Sequence, residues 1–237
     1  MSSPIILALD TKDISEAQEW IAASLPQIQY FKIGLEFYLK HGAAAVASLQ
    51  NQFEFNLFLD LKLYDIPNTV KGAVESVASL NPKFLTVHAS GGKRMIQAAS
   101  AALPNGSITA VTVLTSFTQA EFSALGNQQK IEEVVQIWAR QAIDSGATSI
   151  VCSPFEAKII RALSNDVVII TPGVRAPGDE VGDQARVMTP KEALDNGANF
   201  IVIGRSITKE SVNGVIAMQN KINQIVESLS SCISHPN

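Results

Sequence analysis

Eight short apolar runs, each followed by a longer amphipathic segment, constrain this chain more than any other feature of its sequence. The runs have the length and composition of buried strands. They are IILALD from Ile5, YFKIGL from Tyr30, FNLFLDLKL from Phe55, FLTVHA from Phe84, ITAVTVL from Ile108, SIVCS from Ser149, VVIITPG from Val167 and FIVIGRS from Phe200. The segments between them have helical patterns, such as SEAQEWIAASL from Ser15 and EEVVQIWARQAI from Glu132.

Strands that alternate with helices predict a parallel sheet, because each crossover helix returns the chain to start the next strand in the same direction. Eight such units in 237 residues match a (β/α)8 barrel, and an open doubly wound sheet is the alternative. No linker-like or low-complexity segment interrupts the pattern, so we expect one domain over residues 1–237. The glycines of DSGA and DNGA predict two helix ends, and we expect a frayed tail from about residue 230.

Charge and hydropathy exclude several classes of protein. The formal net charge is -4 and no basic block occurs, which argues against nucleic acid as a partner. No apolar stretch approaches the length of a membrane-spanning helix, and the first residues do not resemble a signal peptide. Cys152 and Cys232 are far apart without CxxC spacing, which indicates free thiols in a reducing compartment. We therefore expect a cytoplasmic protein that does not bind membranes.

The third apolar run ends in charged residues that strand alternation directs to one face. Its leucines share one face, which in a barrel packs on the helices, so Asp60 and Lys62 should point inward at the C-terminal mouth. The same alternation brings Asp10, Lys32 and His88 to that rim from the neighbouring strands. Charged groups are costly to bury unless they are paired or used, so this convergence predicts a functional array.

Each of these side chains, taken alone, is as compatible with a structural role, as a helix cap or a rim ion pair, as with a functional one. Together, alternating lysines and aspartates on adjacent strands would stabilise one another. The three histidines show no HxH or HExxH spacing, so we expect no metal site. We interpret His88 as a structural histidine.

Two later segments predict a site for an anion. TPGVRAPGDEVGDQ, from Thr171, is rich in glycine and proline and is typical of a mobile loop. IGRSIT, from Ile203, places Gly204 and Arg205 at the end of the eighth strand, where barrels of this type commonly bind phosphate. A surface ion pair is the alternative for Arg205.

The stretch DLKLYDIP from Asp60, a DxKxxD pattern followed by Ile-Pro and Thr69, resembles the signature of the orotidine 5′-phosphate decarboxylase family. The resemblance extends over nearly the whole chain, through LALD, FKIG, VHASGG, VTVLTS, TPGVR, GDQ and VIGRSIT. It implies conversion of orotidine 5′-monophosphate to UMP and CO2 without a cofactor or metal. It also implies a homodimer.

The resemblance implies a role for each matching position. The catalytic array would comprise Lys32, Asp60, Lys62 and Asp65. Asp10 would bind ribose, Thr115 would lie near the pyrimidine, and Asp65 and Thr69 would cross the dimer interface. The residues expected to bind substrate are Asp10, Lys32, Thr69, Thr115, Pro172, Arg175, Gln184, Gly204 and Arg205. We place a lid at residues 174–183, with Gln184 and Arg205 closing on the phosphate.

Two rival functions share parts of this pattern. Metal-dependent sugar-phosphate decarboxylases and hexulose-phosphate synthases resemble this chain in the DxKxxD strand, but such relatives place an acid on the second strand, where this chain has Lys32. A non-catalytic phosphate-binding barrel would have no need of Lys62. The charged array therefore favours the decarboxylase.

Overall fold

Eight parallel strands close into a barrel in chain order, and the first strand pairs with the eighth. The computed structural model describes residues 3–175 and 188–230. The strands are β1 (Ile5–Ala8), β2 (Tyr30–Gly34), β3 (Asn56–Leu63), β4 (Phe84–His88), β5 (Ser107–Val111), β6 (Ser149–Val151), β7 (Val168–Thr171) and β8 (Phe200–Ile203). The predicted barrel is confirmed, and the open sheet is excluded.

Helices connect consecutive strands and surround the barrel. In the described ranges they are α1 (Ile14–Ser24), α2 (Leu35–Gln52), α3 (Pro67–Val77), α4 (Gly92–Ala102), α5 (Gln119–Ala124), α6 (Ile131–Asp144), α7 (Ala157–Arg161), α8 (Pro190–Asp195), α9 (Arg205–Thr208) and α10 (Val215–Ser230). Short 3-10 helices span Ala78–Leu80, Ala89–Gly91 and Lys209–Asn213. None of the described helices has the length and apolar character needed to cross a membrane.

Two glycines mark helix ends where the sequence predicts them. Gly146, after α6, has φ of +99°, and Gly197, after α8, has φ of +100°. This positive φ range favours glycine, which has no Cβ to clash with the backbone. Each glycine turns the chain towards the next strand of the barrel.

The barrel wall separates two groups of apolar side chains. Leu57 and Leu59 of β3 belong to the larger group, between the strands and the helices. Phe58, between them in sequence, belongs to the smaller group inside the barrel, with Ile6 and Val202. The predicted inward and outward faces of β3 are therefore confirmed for these residues.

Aromatic rings fill the N-terminal end of the barrel. Tyr30, Phe84 and Phe200 are the first residues of β2, β4 and β8. Their ring centroids lie 4.7 Å apart for Tyr30 and Phe200 and 5.7 Å apart for Phe84 and Phe200. Phe58 packs above them, with its ring centroid 5.8 Å from that of Phe84. This packing fills the N-terminal end of the barrel, which leaves space for a ligand pocket only at the C-terminal end.

Several apolar runs extend beyond the strands that they predict. The fifth run continues to Leu114, but β5 ends at Val111. The extra residues Val113 and Leu114 do not pair in the sheet: both line a pocket at the mouth, and Val113 also packs in the larger apolar group. Leu35, which the sequence assigns to the second strand, is instead the first residue of α2 and is exposed. In this chain the apolar runs therefore predict where strands begin better than where they end.

Cys152 follows β6 and is a buried free thiol. Burial, and then the neighbouring carboxylate of Glu156, raises the pKa of the Cys152 thiol well above its ordinary value. A thiol in this environment stays protonated and unreactive. Cys232 lies outside the described residues.

Candidate active site

A pocket opens at the C-terminal mouth of the barrel, where the sequence predicts a site. Its floor consists of side chains from the apolar group inside the barrel, and its rim is polar. The lining residues are Ala8, Asp10, Lys32, Phe58, Asp60, Lys62, Val111, Val113, Leu114, Thr115, Val151, Pro172, Gly173, Arg175, Val202, Gly204 and Arg205. An apolar floor below a few convergent charged groups is typical of a site for a small polar ligand.

Four charged side chains form a continuous chain that runs from Asp10, just after β1, across β2 to β3. Lys32 Nζ lies 2.9 Å from Asp10 Oδ1 and 3.6 Å from Asp60 Oδ2. Lys62 Nζ donates to both oxygens of Asp60, at 2.7 and 2.8 Å. The order Asp10, Lys32, Asp60, Lys62 alternates in sign, as the sequence predicts. Each inner charge therefore faces at least two opposite or hydrogen-bonding partners.

The array keeps its buried members charged. Burial disfavours the charge on Lys32, but the carboxylates of Asp60 and Asp10 outweigh it and hold the pKa of Lys32 above its ordinary value. Burial likewise disfavours the charge on Asp60, which is only 8% exposed, but Lys32 and Lys62 hold the pKa of Asp60 below its ordinary value. The site is therefore a fixed array of full charges in a partly desolvated pocket.

A bulge in β3 positions Lys62. Leu59 pairs with Leu85 and Leu63 with Val87, so β3 advances four residues while β4 advances two. Within this bulge Lys62 has φ of +47°, a left-handed conformation that is uncommon outside glycine. The regular pairing of β3 with β4 is therefore lost at Lys62, although its side chain still points into the pocket and its Nζ reaches Asp60. Bulges of this kind often redirect a side chain at a functional site.

Thr86, on β4, contacts the array but was missed by reasoning from the sequence. Its hydroxyl accepts a hydrogen bond from Lys62 N at 2.8 Å and donates one to Asp60 Oδ1 at 3.0 Å. The side chain is fully buried. The available signal was the alternation of FLTVHA, which turns Thr86 inward together with Phe84.

Two glycines leave room for the charged side chains. A Cβ at Gly34 would lie 3.3 Å from Lys32 Nζ, which is close enough to disturb the lysine. A Cβ at Gly204 would lie 3.3 Å from Ala8 Cβ and 3.7 Å from Asp10 Oδ2. The absence of a side chain at Gly204 therefore makes space beside Asp10 within the pocket lining.

The part of the rim after β7 and β8, next to the Asp10 end of the charged array, carries two arginines. Arg175 and Arg205 both line the pocket, as do Thr115 and Pro172. Arg175 N donates to Met188 O at 3.1 Å, and Val174 forms an isolated bridge with Met188. These contacts join the first residues of the predicted lid to Met188, which follows the lid in sequence. Gln184 and lid residues 176–183 lie outside the described residues.

Asp65 and Thr69 do not line this pocket in the part of the chain that the structure describes. The other described residues that the resemblance assigns to the site all line it. Both are exposed, and Asp65 Oδ1 accepts a hydrogen bond from Ile66 N at 2.6 Å at the start of α3. Tyr64 and Ile66, which flank Asp65, expose 61% and 66% of their surfaces. One copy of the chain therefore does not bring Asp65 to its own pocket in this structure.

His88 lies at the end of β4, beside the array. Its ring centroid is 5.5 Å from that of Tyr64. Burial, and then the charge of Lys62, lowers the pKa of His88, which favours a neutral ring at neutral pH. Its contact with Tyr64 agrees with the structural role predicted for it.

Comparison with known proteins shows what kind of barrel this is. Residues 3–219 match the model of the orotidine 5′-phosphate decarboxylase / HUMPS family. The chain belongs to this family. The match contains the described charged array, both arginines of the rim and Thr86.

Individual members of the family are similar to this chain over most of its length. An orotidine 5′-phosphate decarboxylase of Thermobifida fusca (strain YX) is 49% identical, covering 92% of this chain and 94% of that protein. One of Moorella thermoacetica is 44% identical, covering 86% of this chain and 85% of that protein. The crystal structure of orotidine 5′-phosphate decarboxylase from Lactobacillus acidophilus superposes with a TM-score of 0.82 at 30% identity, covering 96% of this chain and 99% of that one.

Proposed function

We propose that this chain decarboxylates orotidine 5′-monophosphate to UMP and CO2 in pyrimidine biosynthesis. The observation that carries the proposal is the position of Lys62, whose Nζ contacts both oxygens of Asp60 in a pocket with two arginines at its rim. The names of the similar proteins support this substrate over a sugar phosphate. A lysine at position 32, between two carboxylates, is also unsuited to a site for a cation.

The chemistry explains why a site of this kind needs fixed charges. When the bond between carbon six of the pyrimidine and the carboxylate breaks, CO2 leaves and the electron pair stays in the ring plane. The π system cannot absorb a pair in that plane, so stabilisation must be electrostatic and preorganised. We assign this role to the Lys62 ammonium group, which then gives a proton to carbon six and recovers one from solvent.

The remaining charges of the array hold the Lys62 side chain in place and direct it. Asp60 binds Lys62 Nζ through both oxygens, and Lys32 in turn stabilises the Asp60 carboxylate. In our mechanism Asp60 also lies near the substrate carboxylate, and repulsion between the two would favour loss of CO2. We rank this repulsion second to stabilisation of the carbanion, because ground-state destabilisation is a contested source of rate.

The phosphate of the substrate would bind at the arginine rim. Arg205 begins the short helix α9 directly after β8, and Arg175 follows the end of β7. We propose that Arg205 and Gln184 bind the phosphate and that the lid over residues 174–183 closes on it. Binding energy at the phosphate can then lower the barrier at the distant reacting carbon by driving this closure.

We further propose a homodimer in which Asp65 and Thr69 complete the pocket of the neighbouring copy. Both residues are exposed outside their own pocket. Asp65 lies in the connection that also exposes Tyr64 and Ile66, and Thr69 lies in the first turn of α3. Exposed apolar residues at the rim of a functional site commonly mark an interface. A dimer would cover these side chains and add a third carboxylate to the array.

Incubation of the purified chain with orotidine 5′-monophosphate tests the function directly. We expect the absorbance of the substrate to be lost, with one UMP and one CO2 formed for each substrate consumed. Addition of a chelator should not change the rate, which separates this activity from the metal-dependent rival. A chain that binds UMP but leaves the substrate unchanged over hours would disprove the proposal.

Lys62→Ala tests the residue at the centre of the mechanism. We expect kcat to fall by at least about a hundredfold, because the variant loses both the cation and the proton donor. Retained binding of UMP would show that the pocket is intact. A variant with kcat within about tenfold of the parent would rule out Lys62 as the proton donor.

A further inference from the structure

The backbone of Lys62 lacks the partner that a regular strand would supply. Because of the bulge in β3, its N–H meets the Thr86 hydroxyl rather than a backbone carbonyl of β4. A buried backbone N–H without a partner is costly, and the left-handed conformation of Lys62 adds strain of its own. Some feature of the structure must therefore hold the lysine in this conformation.

We propose that Thr86 is a positioning residue for Lys62 and Asp60, and that its hydroxyl fixes the backbone of one and the carboxylate of the other. The inference rests on the proposed decarboxylation, since it concerns how the proton donor is directed. Thr86 itself is not assigned any contact with substrate.

The direction of each hydrogen bond follows from the chemistry of the groups. The N–H of Lys62 can only donate, so the Thr86 oxygen accepts at 2.8 Å. The single hydroxyl proton is then free to reach Asp60 Oδ1 at 3.0 Å. Each bond polarises the hydroxyl in the sense that strengthens the other. Thr86 is fully buried, so water cannot easily replace it.

Loss of the hydroxyl should displace the lysine rather than empty the pocket. Without its acceptor, the N–H of Lys62 gains free energy by turning towards another partner. The strained φ of +47° can then relax. Such a rotation moves the Cβ of Lys62 and with it the direction of Nζ. A misplacement of about 1 Å can cost on the order of a hundredfold in rate, whereas binding at the distant phosphate is unaffected.

Thr86→Val is the central variant, because valine keeps the branched shape and removes only the hydroxyl function. Thr109→Val is the matched control: Thr109 pairs with Thr86 in the register of β4 and β5, is equally buried, and hydrogen-bonds Ser149 rather than the array. Thr86→Ser is the conservative variant, since it restores the hydroxyl without the methyl group.

We expect Thr86→Val to lower kcat about 10- to 100-fold, with KM and UMP affinity within about threefold of the parent. Thr86→Ser should recover most of that loss, and Thr109→Val should leave kcat within about twofold. Equal losses in Thr86→Val and Thr86→Ser, or a loss confined to KM, would overturn the proposal. If Thr86→Val does not fold, Thr86→Ala and Thr86→Ser make the same comparison, since they differ only in the hydroxyl.

Hydrogen exchange at the Lys62 amide tests the contact without relying on turnover. We expect this amide to exchange at least about tenfold faster in Thr86→Val than in the parent, and at the parent rate in Thr109→Val. Unchanged exchange in Thr86→Val would refute the role of Thr86 even if kcat fell. A parent chain that exchanges as expected but leaves orotidine 5′-monophosphate unchanged would instead refute the proposed function.

Discussion

Lys32→Met should destabilise the folded chain, because it removes the cation between Asp10 and Asp60. Methionine matches the length and apolar stem of lysine but carries no charge. Asp10 is largely solvated, with 56% of its side chain exposed, whereas Asp60 is buried and depends on its partners. The cost should therefore arise mainly at Asp60, whose carboxylate lies 3.6 Å from Lys32 Nζ.

The magnitude follows from what Asp60 retains. Breaking a buried ion pair and leaving one charge unpaired costs about 3–5 kcal/mol. Here Asp60 keeps both contacts with Lys62 and the hydrogen bond from Thr86, all at 3.0 Å or less. We therefore expect a smaller loss of about 1–3 kcal/mol, or roughly 2–12 °C in Tm for a chain of this size.

The matched control is an ion pair of the same length on the surface. Lys71 Nζ lies 3.6 Å from Glu75 Oε1 on α3, but both side chains are more than half exposed. Lys71→Met should change the free energy of unfolding by no more than about 0.5 kcal/mol. Calorimetry at pH 7 and one fixed protein concentration measures both variants, since dimerisation would make Tm depend on concentration.

A double-mutant cycle with Asp60→Asn isolates the interaction. Burial is the largest influence on the pKa of Lys32 and opposes its charge. Without the Asp60 carboxylate, Lys32→Met should therefore lower the free energy of unfolding by less than about 0.5 kcal/mol.

The pH dependence of stability provides a second check. Because the pKa of Asp60 is lowered in the folded chain, its stabilisation is present at neutral pH and is lost as the pH falls through that pKa. The effect of Lys32→Met should therefore shrink in acid; additive effects in the cycle would refute the coupling.

Two further predictions test the dimer and the phosphate site. Equal amounts of inactive Lys62→Ala and inactive Asp65→Ala protein, mixed so that subunits exchange, should recover about a quarter of the parent activity, since half of the dimers would be hybrids with one intact site. Hybrid dimers that form and remain inactive would exclude a shared site. Arg205→Ala should lower kcat/KM about 10- to 150-fold through loss of a charge-assisted contact with phosphate. With orotidine, the substrate without its phosphate group, added phosphite should raise the turnover of the parent but have little effect on Arg205→Ala. Equal activation of both proteins would exclude Arg205 as the phosphate ligand.

The eight strands and their order were predictable because a strand that is buried on both faces of a parallel sheet forms a continuous apolar run in the sequence. Strand ends were less predictable, since apolar residues such as Val113 continue past the last paired residue to line the pocket. The charged array was predictable as far as Asp60, where β3 alternates regularly. At Lys62 the inward direction was also right, but the bulge that interrupts its pairing with β4 leaves no signature in the residues of β3.

Contacts between strands explain what the sequence did not reveal. Thr86 is an ordinary strand residue by composition, and its significance depends on β3 being bulged where it pairs with β4. The position of Asp65 was predicted from the resemblance alone. Its carboxylate binds the backbone of Ile66 in one copy of the chain, so no property of its own barrel identifies a role in catalysis.

The apolar side chains inside the barrel also form the floor of the pocket, and this double use limits how such a site can evolve. Phe58, Val111 and Val202 belong both to the apolar group inside the barrel and to the pocket lining. Truncating a residue like Phe58 to accept a bulkier ring would cost about 3–5 kcal/mol, a large share of the stability of most domains. Variation that changes ligand preference therefore has more freedom in the loops at the rim, where a substitution leaves the packing of the barrel intact.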